Sequence, residues 1–471
     1  MSQGTRSGAI ERARTYVESG QFETDLARRV GFRTESQKLP ASLPELHGYL
    51  GEEIAPAFAR LGFSTRIYDN PIEGQAPVLL ATYVEDERQA TVLGYGHGDV
   101  IRGLEDQWTK GKGPWVTARD GDRLYGRGTA DNKGQHTLNM AALEAVRAER
   151  GGRLGFNAKF ILEMGEEAGS KGLAELAASH KDAFAADVLI ASDGPRVKPE
   201  RPTMMLGCRG AINFDLVCDL RDGGHHSGNW GGLIANPALI LANALAVIVG
   251  PTGALLVDAL KAPPMSAAVK GALADVELDG GADGPAVDPW WGEPGHTPAE
   301  RVYGSNVFHV LAFSAGTPGR PVNAVPPSAV ANCQLRFVAG TDADAAMLVL
   351  QRHLDERGFS RVKVMPPPPV NDGRFAATRT EPDHPWVKFV AGSLSRSSNA
   401  KPAIVPQMGG SICNDVFTDV LGMPTIWIPH SYASCSQHAP DEHILMPLSR
   451  SAIEVMAGLY WDIGERPRAI E

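Results

Sequence analysis

The chain has 471 residues, 43% of them hydrophobic and 21% charged, ample for one large core or two domains. A formal net charge of −10 argues against nucleic acid or an anionic membrane as a partner. No apolar run reaches the ~20 residues of a membrane-spanning helix; the longest, around Leu233 to Val249, is broken by Asn236, Pro237 and Asn243.

The opening MSQGTRSGAIERARTYVESG has no continuous apolar segment, so no secretory signal peptide is expected. The helical pattern LHGYLGEEIAPAFARLG precedes the strand-like runs APVLLATYV and ATVLGYG, and KGQHTLNMAALEAVRAE precedes AKFILEM. Helices alternating with strands imply an α/β layer sandwich. Around Gly207 the texture changes. AINFDLVCDL alternates like a half-exposed strand, NPALILANALAVIVG reads as a helix, and SNVFHVLAFSAG and AVANCQLRFVAG read as strands. DADAAMLVLQRHLDERG is a helix and RVKVMP a closing strand. This βαββαβ order is the ferredoxin-like pattern, with Thr252 to Tyr303, including WWGEPGH, as an insertion within it. The prolines at 366–369 suggest a stiff connection back to the first unit. The remainder supplies a helix, the strand TIWIPH and a final helix. The expected organisation is a catalytic domain split into 1–207 and 372–471, with 208–371 inserted. The five scattered cysteines, Cys208, Cys218, Cys333, Cys413 and Cys435, read as reduced thiols of a cytoplasmic protein and not as a disulfide framework.

Chemistry-bearing residues cluster where the strand-like runs end. They are His97 and Asp99 in YGHGD, Asp131 in GTADNKG, Glu166 and Glu167 in MGEEAGS, Asp193 in IASDGP, and His438 in SQHAPDEH. Parallel strands place their carboxyl ends on one edge, where ligands bind, so these residues can converge. Two histidines and a set of carboxylates suit a pair of zinc ions holding a reactive water. Asp99, two residues after His97, fits a partner that orients the imidazole. Glu166 and Glu167, as neighbours at a strand end, can point to different sides, one to metal and one to substrate as general base. Blander readings exist for each: a solvated turn for the acid pair, a helix cap for Asp193, a surface histidine for His438. GYGHG follows a strand but lacks the rest of a dinucleotide fingerprint. Cys435, three residues before His438, would make a CxxH pair, but the carboxylate-rich set already fills two zinc sites.

The stretches GHGDV, LYGRGTADNKG, MGEEAGS, SDGP, HHSGNWGG, PVNAVP, LRFV, GGSICND and SQHAPDEH together resemble the co-catalytic zinc metallopeptidases. That family includes carboxypeptidase G, aminoacylase, succinyl-diaminopimelate desuccinylase and the carnosine dipeptidases. The resemblance covers nearly the whole chain. It implies a mixed-sheet α/β catalytic domain with an inserted lid or dimerisation domain, and two zinc ions per subunit, with cobalt or manganese as substitutes. His97 and Asp193 would hold one ion, Glu167 and His438 the other, and Asp131 would bridge them through a cis Asp131–Asn132 peptide. Glu166 would be the general base and Asp99 the orienting acid. His226 would reach the partner subunit's site and stabilise the oxyanion, which implies a homodimer; His225 has no implied role. Asn323, Arg336, Gly410 and Ser411 resemble a substrate-anchoring set, with arginine gripping a carboxylate and glycine-rich backbone presenting N–H groups to anions.

The chain departs from the family pattern at Gly98, Asn132 and Cys413, none of which is an implied ligand. Acidic Asp193 speaks against a carbamoyl-hydrolysing branch. WWGEPGH and the long HHSG-bearing insertion resemble the carnosinase-like branch most, so the expected activity is a dipeptidase or carboxypeptidase on a small substrate with a free carboxylate. An N-acyl-amino-acid deacylase would use the same machinery. A non-catalytic dimeric metal or peptide binder would have no need of Glu166.

Overall fold

The computed structural model describes residues 4–278, 285–317, 319–368 and 373–466. Strands β1 (Ser64–Tyr68), β2 (Val78–Tyr83), β3 (Thr91–His97), β4 (Asn157–Glu163), β5 (Val188–Ala191) and β6 (Thr203–Met205) come from the first part of the chain. The chain then builds a second sheet from β7 (Gly210–Asp219), β8 (Val307–Ala315), β9 (Ser328–Phe337) and β10 (Lys363–Met365). It returns to the first sheet with β11 (Ala403–Val405) and β12 (Thr425–Trp427). The eight-stranded sheet runs β1-β2-β4-β3-β5-β12-β6-β11. Its centre is parallel: β3 pairs in that sense with β4 and β5, and β5 with β12. The β1–β2 and β2–β4 pairs are antiparallel. The expected mixed-sheet α/β layer is therefore present.

The apolar runs explain these central strands, because a strand covered on both faces need not alternate. Helices α1 (Arg6–Glu18), α2 (Lys133–Glu149), α3 (Pro237–Ile248), α4 (Ala346–Glu356), α5 (Pro385–Ser398) and α6 (Met446–Gly464) are the longer ones that build the layers. One face of the large sheet packs under α1, α2, α5 and α6 in a core containing Phe160, Leu138, Val390 and Ile453. The other face forms a second core around Tyr95, Leu189 and Trp427. The glycines of GYGHG are required by close approach and not by a nucleotide. A Cβ on Gly96 would lie 2.6 Å from His136 Cβ, and one on Gly98 would lie 2.4 Å from the Tyr49 ring.

The smaller sheet runs β8-β9-β7-β10, every neighbour antiparallel. With α3 after β7 and α4 after β9, it is the ferredoxin-like βαββαβ unit. Burial in β9 alternates strictly, with Ala329, Ala331, Cys333, Leu335 and Phe337 turned inward. Arg336 therefore belongs to the opposite face.

Two features were not anticipated. Strand β1, STRIY, has mostly exposed residues and no apolar run; pairing with β2 makes it a strand. The 252–303 insertion is no loose appendage. Its short helices Ala267–Leu273 and Pro298–Tyr303 bury Val269, Leu273, Ala299 and Tyr303 in the core on the second face of the large sheet. Residues 369–372, which hold the last proline of the 366–369 tract and the expected boundary at 371/372, lie outside the described residues.

Candidate metal centre

The parallel strands bring their carboxyl ends together, and with them the residues marked at those ends. His97 closes β3 opposite Glu163, the last residue of β4. Asp193 follows β5 by two residues. Asp131 stands one residue ahead of the Asn132 cap of α2, and its peptide bond to Asn132 is cis. His97 Nε2 lies 2.8 Å from Asp131 Oδ1 and 3.6 Å from Asp193 Oδ2. His438 Nε2 lies 3.1 Å from the other oxygen of Asp131 and 2.9 Å from Glu167 Oε2. Two donor groups result, His97–Asp131–Asp193 and Asp131–Glu167–His438, each with ligand atoms within 4.8 Å of one another. Asp131 belongs to both. Cys435 is in neither; its thiol is buried in the apolar core.

The acid pair sits differently from expectation. Glu166 and Glu167 are not the end of the strand but lie in a turn of 3-10 helix, Glu166–Ala168, past the end of β4. The turn is held by Asp99, whose two carboxylate oxygens accept the backbone N–H groups of Glu166 (3.2 Å) and Glu167 (3.1 Å). Asp99 also faces the His97 ring: Nδ1 is 3.1 Å from its carbonyl oxygen and 3.4 Å from its carboxylate. One fully buried acid thus fixes both an imidazole and the loop of the two glutamates.

The electrostatics are those of crowded, buried carboxylates. Burial, then the charge of Asp131, pushes Glu167 up to about 7 and Asp193 up to about 6. Glu166 is raised well above the carboxylate range by burial, with Asp193, Glu167 and Asp131 adding to it. Hydrogen bonds with Asp131 and Glu167 raise His438 to about 11. Such a set of nitrogen and oxygen donors, short of positive charge, fits one or two divalent cations. The cleft opens on the His438 side, where that ring is 54% exposed while His97 is fully buried.

Other positioning groups were missed by the sequence reading. Glu442, four residues past His438, is a buried carboxylate that accepts the N–H groups of Ala130 and Asp131 at 3.0 Å each. Its other oxygen accepts from Gly128 N–H and from buried Arg127. It holds the backbone that presents Asp131. The signal for it was the acid in the SQHAPDEH segment, indistinguishable there from a surface charge. Asn132 donates to the Ser192 carbonyl at 2.8 Å, tying the Asp131 loop to the Asp193 loop. Cys413 places its thiol 3.5 Å from the Tyr95 hydroxyl, which in turn donates to Glu163 at 2.7 Å.

The remaining candidates fall into two places. Arg336 and Ser411 meet, with Nη1 donating to Oγ at 3.3 Å; Gly410 beside them is exposed, with open space around its Cα. His226 and Asn323 lie elsewhere. Residues His225–His226 pair with Ala324–Val325, Ser227 N–H donates to the Asn323 carbonyl at 2.9 Å, and both His226 and Asn323 are exposed.

Rat (Rattus norvegicus) Beta-Ala-His dipeptidase is 30% identical over 288 residues, 58% of this chain and 58% of that one. The cysteinylglycine-S-conjugate dipeptidase of Corynebacterium striatum is 27% identical over 386 residues, 79% of this chain and 81% of that one. The chain thus spans little more than half the length of the rat relative. In fold it is similar to the solved di-peptidase Dug1p of Saccharomyces cerevisiae, with a TM-score of 0.74 at 19% identity over 98% of this chain and 99% of that one. The family model of Peptidase family M20/M25/M40 matches residues 93–462. That span runs from inside β3 almost to the end of α6 and encloses both donor groups, so the chain belongs to Peptidase family M20/M25/M40.

Proposed function

We propose that the chain is a metal-dependent hydrolase of a peptide or amide C–N bond in a small carboxylate-bearing substrate. The observation that carries this reading is the sharing of Asp131 between two donor groups, with Glu166 beside them and in neither. His97 and Asp193 would hold one zinc, Glu167 and His438 the second, and Asp131 both. When bound, the ions supply Lewis-acid polarisation and a water acidic enough to react near neutral pH. Glu166 accepts that water's proton and returns it to the leaving amine, a task suited to a carboxyl whose affinity for protons is raised. Asp99 keeps His97 and the glutamate turn in place. Arg336, with Ser411 and Gly410, anchors the substrate carboxylate; Asn323 lies apart from them beside His226 and would contribute only from that side. The relatives named above act on dipeptides, which favours a dipeptidase; an N-acyl-amino-acid deacylase would use the same groups.

The decisive test strips the protein with chelator, reloads it with zinc, cobalt or manganese, and follows release of free amine from dipeptides, N-acetyl amino acids and N-succinyl amino acids. Metal-dependent turnover of dipeptides is expected. Turnover of the acyl compounds alone would make the protein a deacylase, and none at all with metal bound would end the hydrolase reading. Glu442→Gln is expected to lower metal affinity or activity by about 10–100-fold, because the backbone at Asp131 loses a charged acceptor. Unchanged titration of both sites would remove Glu442 from that role.

The assembly we propose is a homodimer, with residues 1–207 and 372–471 as the catalytic part and 208–371 as the inserted lid and dimerisation part. Support comes from β8, the edge of the smaller sheet, which exposes Val310, Leu311 and Phe313. An apolar sheet edge of that kind is normally covered. No described helix is long and apolar enough to cross a membrane. All five cysteines are buried free thiols, which supports a cytoplasmic location.

A further inference from the structure

The chain builds a second concave site whose lining includes Arg209, a neighbour of Ser411, and none of the donor residues. A cavity of about 320 Å³ lies between Arg209, the short helix Pro298–Tyr303 and the Trp291 loop, with Val302 and His309 in its walls. Arg209 immediately precedes β7 and is only 8% exposed. Its Nε and Nη2 share the Gly409 carbonyl at 3.1 and 3.0 Å, and its own carbonyl accepts the Ser411 hydroxyl at 2.7 Å. That same hydroxyl accepts from Arg336. One serine therefore sits between two guanidinium-bearing residues.

Among the described residues no carboxylate forms an ion pair with Arg209 or with Arg336. Burial, and then the neighbouring Arg336, lowers Arg209 to about 10, and His309 is lowered by burial and by both arginines. The acids in the cavity wall, exposed Asp288 and half-buried Glu293, flank Trp291 in sequence, and neither is ion-paired with Arg209. The wall's other arginine, Arg301, spends its donors on the carbonyls of Pro289, Trp291 and Glu293. A buried cation without an anion is costly, and a ligand carboxylate offsets that cost. Arg336 does not line the cavity, whereas Arg209 does. The two arginines thus face two places and not one shared carboxylate.

We propose that the preferred substrate is a dianion, in which Arg336 and Ser411 hold the C-terminal carboxylate while the carboxylate of an acidic C-terminal side chain enters the cavity to meet Arg209. The apolar faces of Val302 and Trp291 would pack on the methylenes of that side chain. This specificity rests on the hydrolase reading above.

The test compares kcat/KM of the metal-loaded full-length protein on Ala-Glu and Ala-Gln, which match in shape and differ in charge. Wild type should favour Ala-Glu by about tenfold or more, the scale of one charge-assisted contact, chiefly through KM. Arg209→Met should bring the ratio near one, and Arg209→Lys should retain part of it. Equal rates in wild type, a measurement that needs no variant, overturn the proposal, as does an undiminished preference in Arg209→Met. If no peptide is cleaved the hydrolase reading falls, and calorimetric titration with L-glutamate and L-glutamine then judges the cavity alone. Tighter glutamate binding that Arg209→Met abolishes supports the anion site; equal or absent binding of the two sinks it.

Discussion

Glu166→Gln will keep its metal and lose turnover by about 10²–10⁴-fold, the range for removal of a positioned general base. The amide preserves shape and the backbone bond from Glu166 N–H to Asp99, so the turn is retained. What it lacks is the ability to take a proton from water and give it to the amine. Glu166 belongs to neither donor group, so metal content should not change. Glu167→Gln should do the reverse, weakening the Asp131–Glu167–His438 group while sparing the other. Metal analysis and rates on the same preparations decide between the two assignments. A Glu166→Gln enzyme of near-normal activity would require a different base.

His226→Ala should also abolish most turnover with both metals in place, for a different reason. The ring is exposed, carried on a two-residue bridge to Ala324–Val325, a placement suited to reaching a second subunit. Subunit exchange exposes the arrangement. In a heterodimer of His226→Ala and Glu166→Gln chains, one site combines an intact Glu166 with the partner subunit's His226, and the other site has neither. Two nearly inactive homodimers should therefore regain activity on mixing, approaching half the wild-type rate per heterodimer if the sites act independently. Exchange verified by mass or label without recovered activity would place His226 in its own chain's chemistry or outside the reaction. The inserted unit would then act as a lid in cis.

Much of the donor set was legible because His97, Asp193 and the two glutamates follow strands whose apolar runs are themselves legible. His97 ends β3, and Glu166, Glu167 and Asp193 stand shortly past β4 and β5. A parallel sheet gathers such positions wherever they lie in the sequence. The βαββαβ unit was readable for a similar reason, since β9 and the later part of β7 alternate and the helices do not. Harder to see was β1, whose exposed residues become a strand only by pairing with β2. The 252–303 segment looked like an insertion and turned out to share a core with β11.

The amino-acid sequence by itself determined the alternating layers and the inserted unit, because hydrophobic periodicity is local and survives without knowledge of partners; the grouping of Asp131 and His438 with His97 came from the resemblance of their motifs to the family. Only the tertiary structure decided which carboxylates serve as supports. Glu442 under Asp131, Asp99 beneath the glutamate turn, and Arg209 beside Ser411 each act across tens to hundreds of residues of chain. In sequence an acid or an arginine on a loop carries the same signal whether it faces water or a buried N–H. Burial distinguishes the two, since a charge removed from solvent must find partners, and burial is a property of the packed chain alone.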